Sequence, residues 1–89
     1  MNKKIRQQLD IVLTQIEELN EKLSSLQDDL QSIYDDEVAK LENIEESFGG
    51  TVRYQIMEEQ TDALSEACEQ LNDANDSLGE VIVLVKSVI

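Results

Sequence analysis

The chain has no histidine, no proline and no tryptophan, and among its 89 residues are only one cysteine, one phenylalanine, two tyrosines and three glycines. Each shortage excludes something. Without an imidazole there is no His base or His metal ligand, and neither a Ser-His-Asp nor a Cys-His pair can be assembled. The lone Cys68 rules out an intrachain disulfide and any CxxC motif, and it fits a reducing, cytoplasmic setting. With no proline to break helices and few aromatics to fill a mixed core, long uninterrupted helices are expected. The longest apolar run, Val81 to Val85, is five residues, far short of the roughly 20 that cross a bilayer, so no membrane span is expected. The opening with Lys3, Lys4 and Arg6 is basic like a signal peptide. Asp10, Gln15, Glu17 and Glu18 interrupt its apolar positions, so it reads as mature helix.

Basic residues are scarce too: 7 against 20 acids, a net charge of −13. A basic groove for nucleic acid is therefore absent, and Tyr34 and Tyr54 read as packing residues rather than base-stacking platforms. Direct nucleic-acid binding is not expected.

What the sequence does have is periodicity. Leu9, Val12, Ile16, Leu19, Leu23, Leu26, Leu30 and Ile33 follow one another by alternating threes and fours, the spacing of a heptad seam. Continued strictly, that register would turn Glu37 and Lys40 inward, whereas the apolar residues go on as Tyr34, Val38, Leu41, Ile44 and Phe48. The pattern predicts a four-residue stutter between Ile33 and Val38. Ser47-Phe48-Gly49-Gly50-Thr51 is a turn signal: Gly49 or Gly50 can adopt the left-handed conformation and Thr51 can cap the next helix. A second seam runs through Val52, Ile56, Leu64, Ala67, Leu71, Ala74, Leu78, Val81, Val85 and Val88, with Gln60 in one apolar layer.

These features predict an all-α chain in which two long antiparallel helices form a coiled-coil hairpin that pairs into a four-helix bundle. Residues 1–89 make one domain, with helix 1 over about 3–46, the turn at 47–51 and helix 2 over about 52–88. Folding at the glycines sets Leu30 against Ala67 and Leu23 against Ala74, large opposite small.

Charge is uneven along this hairpin. Residues 28–80 hold 16 acids and only Lys40 and Arg53, a net of −14, while the rest of the chain nets +1. The turn half thus offers an acidic partner-binding face, formed by Asp35, Asp36, Glu37, Glu42, Glu45, Glu46, Glu58, Glu59 and Asp62, to a protein with a basic surface. Ile11, Leu13, Ile82, Leu84 and Ile89 lie outside the seam at the open end, where they are expected to drive homodimerisation. No metal or cofactor is expected. The carboxylates have no focus and no His among them, and the calcium-like stretch from Asp73 fails because Gly79 comes one place late and Leu84 holds the twelfth position. Cys68 reads as a partly buried residue flanking the seam, with Glu66 and Glu69 nearby disfavouring a thiolate, and an intermolecular disulfide as its alternative.

Two helices of similar length joined by Ser47-Phe48-Gly49-Gly50 resemble the WXG100 family of small secreted helical hairpins. The resemblance implies a secreted dimer. Phe48 stands where the family has Trp, and the Tyr-x-x-x-Asp/Glu signal found beyond the family's second helix occurs here as Tyr54-Gln-Ile-Met-Glu58, at the start of helix 2.

The residues themselves favour a non-enzymatic, acidic protein-interaction module that self-associates through its open end. The alternative is an inhibitor that imitates nucleic acid, of the phage counter-defence type. Residues 28–70 carry 13 acids and 2 bases, about one net charge per 2.7 Å of rod against one per roughly 1.7 Å for duplex DNA. Circular dichroism should show a nearly all-helical chain. A β signature, for which the β-branched run Val81 to Val85 is the one plausible source, would overturn this fold.

Overall fold

The computed structural model describes the backbone of every residue but Gly49, and the side chains of residues 1–44 and 50–89. Two helices, α1 (Lys3–Phe48, 46 residues) and α2 (Val52–Lys86, 35 residues), pack against each other as an antiparallel hairpin. The rod measures 67 × 15 × 14 Å. Its length matches a straight α1, since 46 residues at about 1.5 Å each span about 69 Å.

The helix ends are held by side chains chosen for the purpose. Asn2 Oδ1 accepts from the Ile5 amide at 2.9 Å, and Thr51 Oγ1 accepts from the Tyr54 amide at 3.1 Å, each satisfying a donor that the first turn leaves over. At the far end the Ser87 amide donates to the Val83 carbonyl at 3.1 Å and Ser87 Oγ donates to the Leu84 carbonyl at 2.6 Å. Gly50 takes the left-handed conformation, with φ +89. Phe48's side chain and all of Gly49, both part of the expected turn, lie outside the described residues. The β-branched run Val81 to Val85 is helical, because the face it shares with Leu78 and Ile82 packs on α1 and tertiary burial outweighs a few tenths of a kcal/mol of propensity.

From Leu9 to Ile33 on α1 and from Leu64 on α2 the inward residues differ from the expected seam at every second position, while the expected Tyr34, Val38, Leu41 and Ile44 are half buried. On α1 the buried or half-buried line is Leu9, Leu13, Ile16, Asn20, Leu23, Gln27, Leu30, Tyr34, Glu37, Leu41 and Ile44; on α2 it is Tyr54, Met57, Thr61, Leu64, Cys68, Leu71, Asn75, Leu78, Ile82 and Val85. Both alternate threes and fours from end to end, so the α1 seam needs no stutter. Val12, Leu19, Leu26 and Ile33 are 47, 48, 46 and 53% exposed instead of inward. On α2, Ala67 and Ala74 are exposed and Cys68 is buried, so the expected large-against-small layers of Leu30 with Ala67 and Leu23 with Ala74 are not formed. Two of the residues expected to be left over for association, Leu13 and Ile82, belong to the hairpin's own interior.

Cross-helix polar contacts accompany this seam. Asn20 Nδ2 donates to Asn75 Oδ1 at 2.8 Å and to the Asn75 carbonyl at 3.0 Å, while Asn75 Nδ2 donates to Ser24 Oγ at 3.0 Å. Gln27 Nε2 donates to Asn72 Oδ1 at 2.6 Å. Asparagines turned half inward on both helices meet each other, so neither loses its hydrogen bonds when it leaves water. Thr61, the buried polar residue of the seam, is satisfied within α2 by donating to the Met57 carbonyl at 2.8 Å.

Two glycines make opposite predictions. A Cβ at Gly79, inside α2, would meet nothing within 4 Å, so Gly79→Ala should stabilise by about 0.5–1 kcal/mol and raise the melting temperature by a few degrees. Gly50→Ala forces an L side chain into a positive φ and should lower it by a similar amount. Thermal denaturation followed by circular dichroism at fixed concentration decides both. Removing the cross-helix amide by Asn20→Ala should cost roughly 1–2 kcal/mol, whereas the paired Asn20→Leu, Asn75→Leu change should raise stability while loosening the register.

Candidate functional site

The cross-helix contacts also tell which sides of the two helices lie together. On α1, Leu9, Ile16, Leu23 and Leu30 form a central line seven residues apart, flanked on one side by Leu13, Asn20, Gln27 and Tyr34 and on the other by Ile5, Val12, Leu19, Leu26 and Ile33. On α2 the central line Leu64, Leu71, Leu78 and Val85 has Cys68, Asn75 and Ile82 on one flank and Ala67, Ala74 and Val81 on the other, with Val88 just past the helix end. The Asn20–Asn75 and Gln27–Asn72 bonds and the Lys86–Glu17 ion pair at 3.8 Å all join the first flank of α1 to the corresponding side of α2. The second flanks of the two helices must then share the opposite face. The hairpin has a polar face and an apolar face.

The polar face carries the carboxylates in lines seven residues apart. Glu21, Asp28, Asp35 and Glu42 run along α1, and Asp62, Glu69 and Asp76 run along α2, every one of them exposed. A heptad rises about 10.5 Å, so each line is a rail of charges at that interval. Between them lies a shallow cleft of about 320 Å³ lined by Gln27, Gln31, Tyr34, Ser65, Cys68, Glu69 and Asn72. A third line, Glu59, Glu66, Asp73 and Glu80, occupies the side of α2 farthest from α1.

The expected acidic residues are distributed over this surface. Asp35, Glu42 and Asp62 stand on the rails, Glu58 lies beside the seam on the polar side, and Glu59 starts the outer line of α2. Asp36 sits at the α1 rim of the apolar face, and Glu37 is half buried, with Lys40 Nζ at 3.1 Å from its Oε1. The side chains of Glu45 and Glu46 lie outside the described residues. Four rail carboxylates, Glu21, Asp28, Glu69 and Asp76, lie outside the expected set. Their seven-residue spacing was present in the sequence as an acidic heptad line parallel to the apolar one.

Among the described residues no group of His, Cys, Asp or Glu converges as a metal site, and no described helix is long and apolar enough to cross a membrane. Cys68 is 8% exposed at a core position instead of flanking the seam, which shields its thiol from a second chain until the hairpin opens. Of the residues expected to mediate association, Ile11 is 64% exposed on the side of α1 turned away from α2, Leu84 is 67% exposed at the α2 edge of the apolar face, and Ile89 is 40% exposed at the chain end.

Comparison with protein-family models, with curated proteins and with solved structures gives no match. The likeness to WXG100 hairpins therefore stands on the four turn residues alone.

Proposed function

We propose that this protein is a non-enzymatic interaction module that self-associates and presents its acidic face to a protein partner with a basic surface. The observation that carries the reading is the arrangement of the carboxylates. Solubility alone requires charge on every exposed side, whereas here carboxylates line both edges of one face and are missing from the central lines of the other. Rails at intervals of about 10.5 Å match Lys and Arg placed one per heptad on a partner helix, or spread over a basic patch. The half-buried Tyr34 and the amides of Gln27, Gln31 and Asn72 floor the cleft between the rails. They give the partner uncharged hydrogen-bonding groups where the two rails alone would give only charge.

A nucleic-acid mimic is the second reading, supported by the charge density of the turn half. The two differ in what displaces the partner: duplex DNA or RNA competes with a mimic, and not with a module that binds a protein's non-nucleic-acid surface.

The test is capture of partners from the native host by the full chain and by a variant carrying Asp28→Lys, Asp35→Lys and Glu69→Lys. These exposed positions do not support the fold, so the variant should keep its helicity and lose the partner. Capture should weaken steeply as salt rises, because the contacts are exposed ion pairs. Equal capture by both chains, or affinity indifferent to salt, would overturn the assignment of binding to the acidic face.

A further inference from the structure

We infer that the apolar face is covered by a second copy of this chain, the two hairpins closing into a four-helix bundle. The inference rests on the module reading above, in that it leaves the carboxylate rails outward for a partner, and it names the surface through which the module assembles.

Surface area is the first argument. The hairpin exposes 6678 Å² at a mass of 10.1 kDa, while a compact monomer of that mass exposes about 5,300 Å². The excess is roughly 1,400 Å² per chain, in the range that each partner of a stable homodimer removes from water. Leu13 and Cys68 are the buried apolar residues among those described, too small a core to hold a free hairpin together.

Pattern is the second argument, and it selects the occupant. The line Ile5, Val12, Leu19, Leu26, Ile33 combines with the half-buried Leu9 to Leu30 line into a complete second heptad seam along α1, about 42 Å long. The Leu9 to Leu30 line thus serves two seams at once. One side of it packs on α2 and the other is open, which is why these residues are half buried and not buried. A helix with two adjacent seams has a partner on each, as in a four-helix bundle. The same holds on α2, where the small Ala67 and Ala74 give way to Val81 and Val88 toward the open end.

Charge is the third argument. No acid occupies the flank lines of this face, and their next positions toward the turn are Lys40 on α1 and Gln60 and Arg53 on α2, the two bases of the turn half among them. The α1 rim turns acidic only at Asp29 and Asp36. A chain of net charge −13 can meet its own copy through such a face without desolvating a row of carboxylates, and a cationic partner would find nothing there to pair with. A self-complementary face of this kind forms a closed two-fold dimer. The association surface is accordingly the whole face from Ile5 to Ile33, not the open end alone.

Sedimentation equilibrium and circular dichroism on the full chain, with no partner present, test this. The unmodified chain should have twice the monomer mass at micromolar concentration. Leu19→Glu with Leu26→Glu should weaken self-association by at least roughly 100-fold. Ile11→Glu with Val83→Glu removes residues 64 and 67% exposed on other sides of the rod, and should leave the dimer intact. Because a hairpin detached from its copy has little core, dilution of the unmodified chain is the second readout, and its helicity should fall together with its mass. A monomeric unmodified chain that stays helical on dilution would overturn the inference, as would a dimer that survives L19E/L26E or one that I11E/V83E dissolves equally well. The outcome is separate from that of partner capture. A dimer without a cationic partner sinks the acidic-face reading alone, and a monomer that still binds through its rails sinks this inference alone.

Discussion

The structure depends on the meeting of two amides. Asn20 and Asn75 bond to each other across the helices, with Ser24 as a third member. Each bond is worth only about 1 kcal/mol net. What gives them influence is the cost of alternatives, because each helix carries apolar residues enough for two adjacent seams. A half-buried asparagine without a partner would forfeit its hydration for nothing. The seam that pairs Asn20 with Asn75 sets two inward amides at the same level, and beside it the half-buried Gln27 bonds to the exposed Asn72. A polar layer of this kind sets register and orientation more than it adds stability.

Everything else about the surface follows from that choice of seam. Once the amide side of α1 faces the amide side of α2, the flanking carboxylate lines are carried to one face and the second apolar lines to the other. The protein is then two-sided along a 67 Å rod, with charge and hydrogen-bonding groups on one side and branched aliphatics on the other. Such a division is costly for an isolated hairpin, which leaves large side chains such as Leu19, Leu26 and Ile33 about half exposed. In the proposed assembly the same division would separate the surface that joins copies from the surface that meets a partner.

In the proposed module the carboxylates would act by number and spacing. Exposed ion pairs are individually weak, so a single acid on this rod confers little. In the proposed role, a rail repeated every heptad would let several weak contacts form at once, because helix rigidity keeps the rails parallel. The described carboxylates are spread along the rod and not gathered into a group that could hold a metal ion.

From the sequence alone came the two-helix architecture, the turn at Gly50, the cap at Thr51 and the excess of acid, because these rest on local rules: helical spacing, the absence of proline, the backbone freedom of glycine and the reach of a threonine hydroxyl. Leu9, Ile16, Leu23 and Leu30, and on α2 Leu64, Leu71, Leu78 and Val85, were also legible as inward, since they belong to both candidate seams. Which neighbour of each completes the seam was not legible. Ranking by hydrophobicity selects Val12, Leu19 and Leu26 over Leu13, Asn20 and Gln27, and so sends the outer stripe inward and requires a stutter that does not exist. Only the tertiary structure settled this, because the preference for Asn20 over Leu19 exists nowhere in α1 itself: it arises when Asn75 of the other helix stands opposite, 55 residues away in the chain.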